Sequence, residues 1–340
     1  MVSLKDISLK CGVSVATVSK ALNDQSDISE ETKKMVKRIA DEMGYFPNAS
    51  ARALRTRRTN CIGVLFVDEA GSGLTHDFFA HVLDAFKVTT EAGGYDMLFI
   101  NKNNRIGSRP ISYLEHCRYR GVDGVVMACI DFRDKEVTRL LESEIPVVTI
   151  DHVFDNHMAV ISDNVRGMRD LVQFVYDMGH RRMAYIHGAD SSVTKSRLCS
   201  FYRTLEDLKV QIPDSYIREG NYRDTVTAAR LTKELLELEI PPTCIFYPDD
   251  FAAIGGIGMI RSMGLSIPED ISVVGYDGTG LAGVMMPELT TLEQDTGKIG
   301  ELAAKALINL VEHPKTTLIQ SIVVEGRVSP GGSVKRLRQS

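Results

Sequence analysis

The sequence is short of the features that would mark an enzyme, an exported protein or a membrane protein. No apolar run approaches the ~20 residues that span a bilayer. Met1 to Lys10 holds no apolar leader, so export is not expected and a cytoplasmic location is. The six cysteines (Cys11, Cys61, Cys117, Cys129, Cys199, Cys244) are scattered without a C-x-x-C pair. That pattern fits buried thiols in a reducing compartment. The eight histidines form no H-E-x-x-H, and the two pairs five residues apart, His76/His81 and His152/His157, are not expected to hold a metal. No Walker A run is present, and no cofactor is expected. Gly255, Gly256 and Gly258 fall inside a helical pattern, where close packing is the simpler reading. No serine sits in a G-x-S-x-G elbow and no Ser/His/Asp set is spaced for nucleophilic catalysis, so no enzymatic activity is expected.

What is present is ordinary globular material. Hydrophobic residues make up 44% and charged residues 25% of 340 positions, enough for two or three compact units. The net charge of −5 is unevenly placed. Residues 1–60 carry eleven Lys and Arg against seven Asp and Glu, a net +4, which leaves −9 on the rest. A basic head on an acidic body points to a polyanionic partner for the head.

The first 60 residues hold no convincing strand. Leu4, Ile7 and Leu9 begin a short helix with Ser3 as N-cap and Asp6 at its third position. Gly12 stops it, Ser14 caps a second helix over Val15–Leu22 with Val18 facing inward, and a third follows Ser29 through Met35, Val36, Ile39 and Met43 to Gly44. Helix, tight glycine turn, helix is the arrangement that lays the second helix in a DNA major groove. The exposed residues of that helix would be Val15, Ala16, Thr17, Ser19 and Lys20, suited to thymine methyls, phosphates and base edges. A small three-helix domain that binds protein is the other reading of the same pattern.

Residues 47–60 form a basic link. After Pro47, the run Asn48-Ala49-Ser50-Ala51-Arg52-Ala53-Leu54-Arg55 is helix-prone but too short to be stable alone. Leu54 stands among Arg52, Arg55, Arg57 and Arg58, which suits a minor-groove wedge flanked by phosphate contacts, or else a flexible linker with one stray leucine.

From Cys61 strands alternate with helices. Strands are expected at 62–67, 96–100, 124–128, 147–150, 183–187, 243–246 and 272–275, and helices at 78–92, 113–119, 135–142, 165–178, 195–208, 226–238, 251–263 and 299–311. Such alternation gives a parallel sheet covered on both faces, and some 270 residues exceed one such sheet. Two doubly wound lobes are therefore expected, with a ligand in the crevice outside the strand C-termini. Polar residues stand at those strand ends: Asp68, Asp151 with His152, Asp249 with Asp250, and Asp277, together with Arg197 on a helix. Carboxylates and a guanidinium suit a hydroxyl-rich ligand, and Phe78 or Phe79 could stack on the apolar face of a sugar. Each aspartate could instead cap the helix that follows it, and either phenylalanine could be core.

The run L-K-D-I-S-L-K-C-G-V-S-V-A-T-V-S-K-A-L-N, continued by S-E-E-T-K-K-M-V-K-R-I-A-D-E-M-G-Y-F-P-N-A-S-A-R-A-L-R, resembles the DNA-binding head of the lactose/galactose repressor (LacI/GalR) family. The body is similar too, through D-N-V-R-G, M-G-H-R-R-M-A-Y-I-H-G, P-D-D-F-A-A-I-G, P-E-D-I-S-V-V-G-Y-D and L-T-T-L-E-Q-D. The resemblance implies an all-α helix-turn-helix head plus an α/β body of two doubly wound parallel-sheet lobes, periplasmic-binding-protein-like of type I. The domains expected are a DNA-binding domain 1–46, a hinge helix 47–60 and an effector-binding and dimerisation core 61–330. That core divides into lobes of about 61–161 plus 291–320 and 162–290 plus 321–330, and a basic tail 331–340 follows. The DNA-binding residues implied are Ser14, Val15, Ala16, Thr17, Ser19, Lys20, Asn23, Asn48, Ala51 and Leu54. Lys20 stands where the family usually has Arg, and Asp249 where it usually has Asn. The effector-contacting residues implied are Phe78, Phe79, Asp151, Arg197, Asp249 and Asp277. Residues 82–88, Leu114 and Tyr119 are candidates for dimer contacts. The function implied is a homodimeric, operator-binding transcriptional regulator, expected to be a repressor, controlled by a small effector, expected to be a sugar. A catabolite-control regulator answering to a phosphorylated carrier protein, or a non-regulatory sugar-binding protein, is the alternative.

Overall fold

The computed structural model of the protein describes residues 2–46, 58–67, 73–101 and 105–337. These fall into two units, residues 1–59 and 60–340, each with its own core.

The first unit contains three helices: α1 (Leu4–Cys11), α2 (Val15–Leu22) and α3 (Glu30–Glu42). Their starts follow from short polar caps. Ser3 and Asp6 form a capping box at α1, and Ser14 and Ser29 accept from the third N–H of α2 and α3. Gly12 ends α1 at φ 71°, a left-handed backbone that glycine adopts without strain and that turns the chain sharply into α2. Ile7, Val18, Ala21, Val36 and Ala40 are buried together where the three helices meet. The third helix ends at Glu42, two residues before Gly44.

The second unit is built on two parallel sheets. The larger contains β1 (Cys61–Phe66), β2 (Asp96–Phe99), β5 (Gly124–Ala128), β6 (Val147–Ile150), β7 (Met158–Ser162) and β13 (Ser321–Val324), in the order β13-β7-β6-β5-β1-β2. Side chains alternate faces along it. Val126 and Ala128 enter one core with α4 (Asp77–Ala92) and α12 (Thr296–Glu312), while Val125 and Met127 enter another with α5 (Tyr113–Arg120) and α6 (Lys135–Leu141). The smaller sheet runs β11-β10-β8-β9, made of β8 (Met183–His187), β9 (Ile217–Glu219), β10 (Cys244–Phe246) and β11 (Ser272–Val274). One of its faces packs on α7 (Asn164–Asp177) and α8 (Ser192–Asp207), the other on α9 (Thr225–Leu236) and α10 (Asp250–Ser262). Burying each Val, Leu or Ile in these four cores contributes about 1.5–3 kcal/mol. Both sheets reverse strand order at a switch point, between β1 and β5 and between β8 and β10.

The close packing expected at the helical glycines holds for two of the three. A Cβ on Gly255 would lie 1.9 Å from the Thr225 carbonyl oxygen at the start of α9, and one on Gly256 would lie 1.9 Å from the Tyr247 hydroxyl. Gly258 has nothing within 4 Å of its Cβ direction.

The lobe boundaries differ from those expected. Ser321–Val324 was assigned to the second lobe, but it pairs with β7 at the edge of the first lobe's sheet. Residues 291–293 were assigned to the first lobe. Instead β12 (Thr291–Glu293) pairs antiparallel with β14 (Arg327–Ser329) and is bridged to Asp277 just beyond β11. Residues 331–337 are not a free tail. Val334 and Ser333 are buried, the Thr290 N–H donates to Ser333 Oγ at 2.8 Å, and the Leu337 N–H donates to the Met178 carbonyl at 2.7 Å. Asn60, expected in the hinge, is anchored to the body by its N–H on Asp123 Oδ2 at 2.7 Å. Val82, Leu83 and Phe86 lie in the core between α4 and α12 and cannot serve as dimer contacts, whereas Val88 and Tyr119 are exposed.

Candidate functional site

In the first unit, α2 presents Val15, Ala16 and Lys20 to solvent, with Thr17 and Ser19 half-buried. Val18 and Ala21 on the opposite side lock the helix to α1 and α3. Ser14 accepts from the Thr17 N–H at 3.0 Å and shares a hydroxyl contact with Thr17 at 2.9 Å, which fixes the leading turn. Asn23 caps the other end through Nδ2 on the Ser19 carbonyl. Lys20 is ion-paired with Asp27, an exposed contact that a phosphate or base edge would have to displace. Asn48, Ala51 and Leu54 lie outside the described residues, as does Asp68.

In the second unit the strand ends bring most of the expected residues into one buried polar cluster centred on Arg197, on the second turn of α8. The side chain is 4% exposed. Nε donates to Asn164 Oδ1 at 2.7 Å, Nη1 donates to the Pro248 carbonyl at 3.0 Å, and Nη2 stands 3.9 Å from Asp277 Oδ1. The guanidinium lies over the Tyr276 ring, 3.5 Å from its centre, an arrangement that offsets part of the cost of burying the charge. Asp277 follows β11 at φ 103°, and its Oδ1 accepts from Gln294 Nε2 at 2.7 Å. It caps no helix. Burial holds its carboxyl well above the usual carboxylate range, against the pull of Arg197. Asp151 follows β6 at φ 56° and accepts from the Ser162 N–H at 2.8 Å, and burial raises its carboxyl too.

One expectation is corrected here, and the helix-capping role open to Asp249 or Asp250 falls to the first. Phe78 is 4% exposed and belongs to the first lobe's core, because the helical turn points it at the sheet. Phe79, one residue on, is partly exposed between Phe66 and His76 and remains the aromatic candidate. Asp249 meets one backbone N–H on each oxygen, which leaves a lone pair on each for a ligand hydroxyl. Oδ1 accepts from Ala252 N–H and Oδ2 from Arg223 N–H, each at 2.7 Å, so it is the N-cap of α10. The cap therefore falls one residue before Asp250. Asp250 instead accepts from Thr291 Oγ1 at 2.6 Å and from the Thr279 N–H at 2.7 Å, and burial pushes its carboxyl up to about 7.

The sequence reading missed several members of the cluster. Asn164 and Gln294 hold Arg197 and Asp277 in place. Tyr222 packs against Gly188 and shares a hydrogen bond with Thr194 at 2.8 Å. Only the quoted D-N-V-R-G and L-T-T-L-E-Q-D runs hinted at Asn164 and Gln294, and no local signal marked Tyr222. Around the cluster, Tyr185 Oη, Ser162 Oγ and Gln294 Oε1 are buried without a hydrogen-bond partner among the described residues. Each such group costs about 1–3 kcal/mol, so three around one charged cluster are a cost that a polar ligand would relieve. No group of three or more His, Cys, Asp or Glu among the described residues is placed to hold a metal ion. No helix there is long and apolar enough to cross a membrane.

Comparison with known proteins fits this geometry. Residues 3–48 match the family described as bacterial regulatory proteins, lacI family, and residues 172–334 match a periplasmic binding protein-like domain. The chain is 30% identical, over 99% of both lengths, to a protein of Bacillus subtilis named a probable HTH-type transcriptional repressor ExuR. It is 29% identical, over 92% of both lengths, to the HTH-type transcriptional repressor PurR of Vibrio atlanticus. Among solved structures, a transcriptional regulator CelR–cellobiose complex is similar at 25% identity and TM-score 0.70, covering 98% of this chain and 100% of that one. A lac repressor dimer bound to operator and an anti-inducer shares the fold at TM-score 0.80 and 24% identity, covering 98% of this chain and 99% of that one.

Proposed function

The protein belongs to the lacI family of bacterial regulatory proteins, and from that premise we propose a homodimeric repressor whose grip on a pseudo-palindromic operator answers to a small hydroxyl-rich effector, a sugar or sugar derivative. As a member of that family it is a DNA-binding transcriptional repressor, and the head supplies the means. Ser14, Val15, Ala16, Thr17, Ser19, Lys20 and Asn23 would meet base edges and backbone from α2, with Asn48, Ala51 and Leu54 entering the minor groove beside it. The effector would sit at the Arg197 cluster. Arg197 donates, Asp277 and Asp151 accept or donate according to their protonation, and Phe79 and Tyr222 offer apolar faces. The observation that carries this reading is the set of partnerless buried atoms, Tyr185 Oη, Ser162 Oγ and Gln294 Oε1, around that guanidinium. Hydroxyl groups donate and accept at once and so match a mixed set of this kind.

Two measurements test it. Gel shift against a palindromic operator library is expected to show salt-dependent binding, weakened by Leu54→Ala with the fold intact. A thermal-shift screen of sugars is expected to return a stabilising compound whose effect Asp277→Ala abolishes. A library with no retarded duplex at low salt overturns the operator reading. A screen in which no sugar moves the melting temperature overturns the effector class.

A further inference from the structure

Arg223 reaches from the second lobe to the first, and nothing in the sequence pattern singled it out. We infer that Arg223 is a latch across the crevice and that Asp249 is its positioning residue. Arg223 sits on the loop after β9 at φ 57°. A non-glycine residue there costs on the order of 1 kcal/mol and persists only where its surroundings hold it. Two things hold it. Asp249 Oδ2 accepts the Arg223 N–H at 2.7 Å, and the Phe251 ring lies under the guanidinium, 4.3 Å from centre to carbon. From that root the side chain crosses to the start of α4. Nη2 donates to the Thr75 carbonyl at 3.2 Å and Nη1 stands 3.5 Å from Asp77 Oδ2.

The Arg223 side chain is 10% exposed and Asp77 37%, so the pair is partly shielded from water and worth more than an open surface contact. Asp77 also opens α4, where a negative charge is favourable at the helix N-terminus. Separating the lobes must break both contacts. The arrangement gives the Asp249 carboxylate a second task beside capping α10: it braces the latch. The latch does not depend on which effector binds or on what DNA the head reads.

The test uses the full chain without ligand. Asp77→Asn, Arg223→Ala and the double variant are compared by thermal unfolding of the body and by small-angle X-ray scattering. Each single variant is expected to lengthen the particle and to speed its unfolding about fivefold, with the double variant no worse than Arg223→Ala. Asp77→Asn is nearly isosteric and half-exposed, so its folding is not at issue. Strictly additive losses in the double variant, or Asp77→Asn scattering that superimposes on the parent, would overturn the latch.

Discussion

Arg197→Ala removes the centre of the crevice cluster, and the size of the loss can be worked from its partners. The Pro248 carbonyl and Asn164 Oδ1 each lose a donor in a buried place. An orphaned buried acceptor costs about 1–3 kcal/mol. The stacking on Tyr276 goes as well, worth about 2 kcal/mol where water is excluded. Relief from burying the charge offsets part of this. The net loss is about 3–5 kcal/mol, as for a buried ion pair broken on one side. For a body of this size each kcal/mol lowers the melting temperature by about 2–4 °C, so a fall of roughly 10 °C is expected in calorimetry. Arg197→Lys keeps the charge without the planar fork and cannot serve Asn164 and Pro248 together, so it should recover less than half the loss. A loss within about 1 kcal/mol of the parent for Arg197→Ala, or a lysine variant as stable as the parent, would refute the account of the guanidinium as the centre of the cluster.

Three further outcomes follow from the same geometry. The buried carboxyl of Asp250 is pushed up to about 7, so the folded chain holds a proton that the unfolded chain releases near pH 4, and stability should fall as pH rises from about 4 to 7. Burial moves Asp151, Asp249 and Asp277 in the same direction, and Asp250→Asn should flatten part of that slope in urea titrations at stepped pH. Gly255→Ala places a Cβ 1.9 Å from the Thr225 carbonyl and should cost about 1–3 kcal/mol by forcing α9 and α10 apart, read as a lower denaturant midpoint. Ser14→Ala strips the N-cap of α2 and should cost the head about 1 kcal/mol, weakening operator binding in gel shift while the body melts unchanged.

Much of this protein could be read locally. Caps, glycine stops and hydrophobic periods lie within a few residues of what they control, so α1 to α3 and most strand and helix positions of the body were legible before the fold was known. Met158–Ser162 and Ser321–Val324 were not: the first follows Val147–Ile150 with no helix between them to mark the alternation, and the second is a strand through a partner some 160 residues away. The same holds for Thr291–Glu293, a strand only because Arg327–Ser329 lies beside it.

The site divides along the same line. A basic helical head ahead of an acidic two-lobed body, and polar residues at the ends of its parallel strands, were already legible in the chain. Residue type, spacing and charge suffice for that. Which of those groups face one another, and which join a core, follows from packing. Phe78 and Phe79 are neighbours of one type, yet the helical turn buries the first and leaves the second partly exposed. Asp249 and Asp277 both follow strands, yet the first caps a helix and braces Arg223 through backbone N–H groups, while the second faces Arg197 and Gln294. Hydrogen bonds to distant backbone and the burial of one face are set by packing, and packing brings together residues that no sequence window contains.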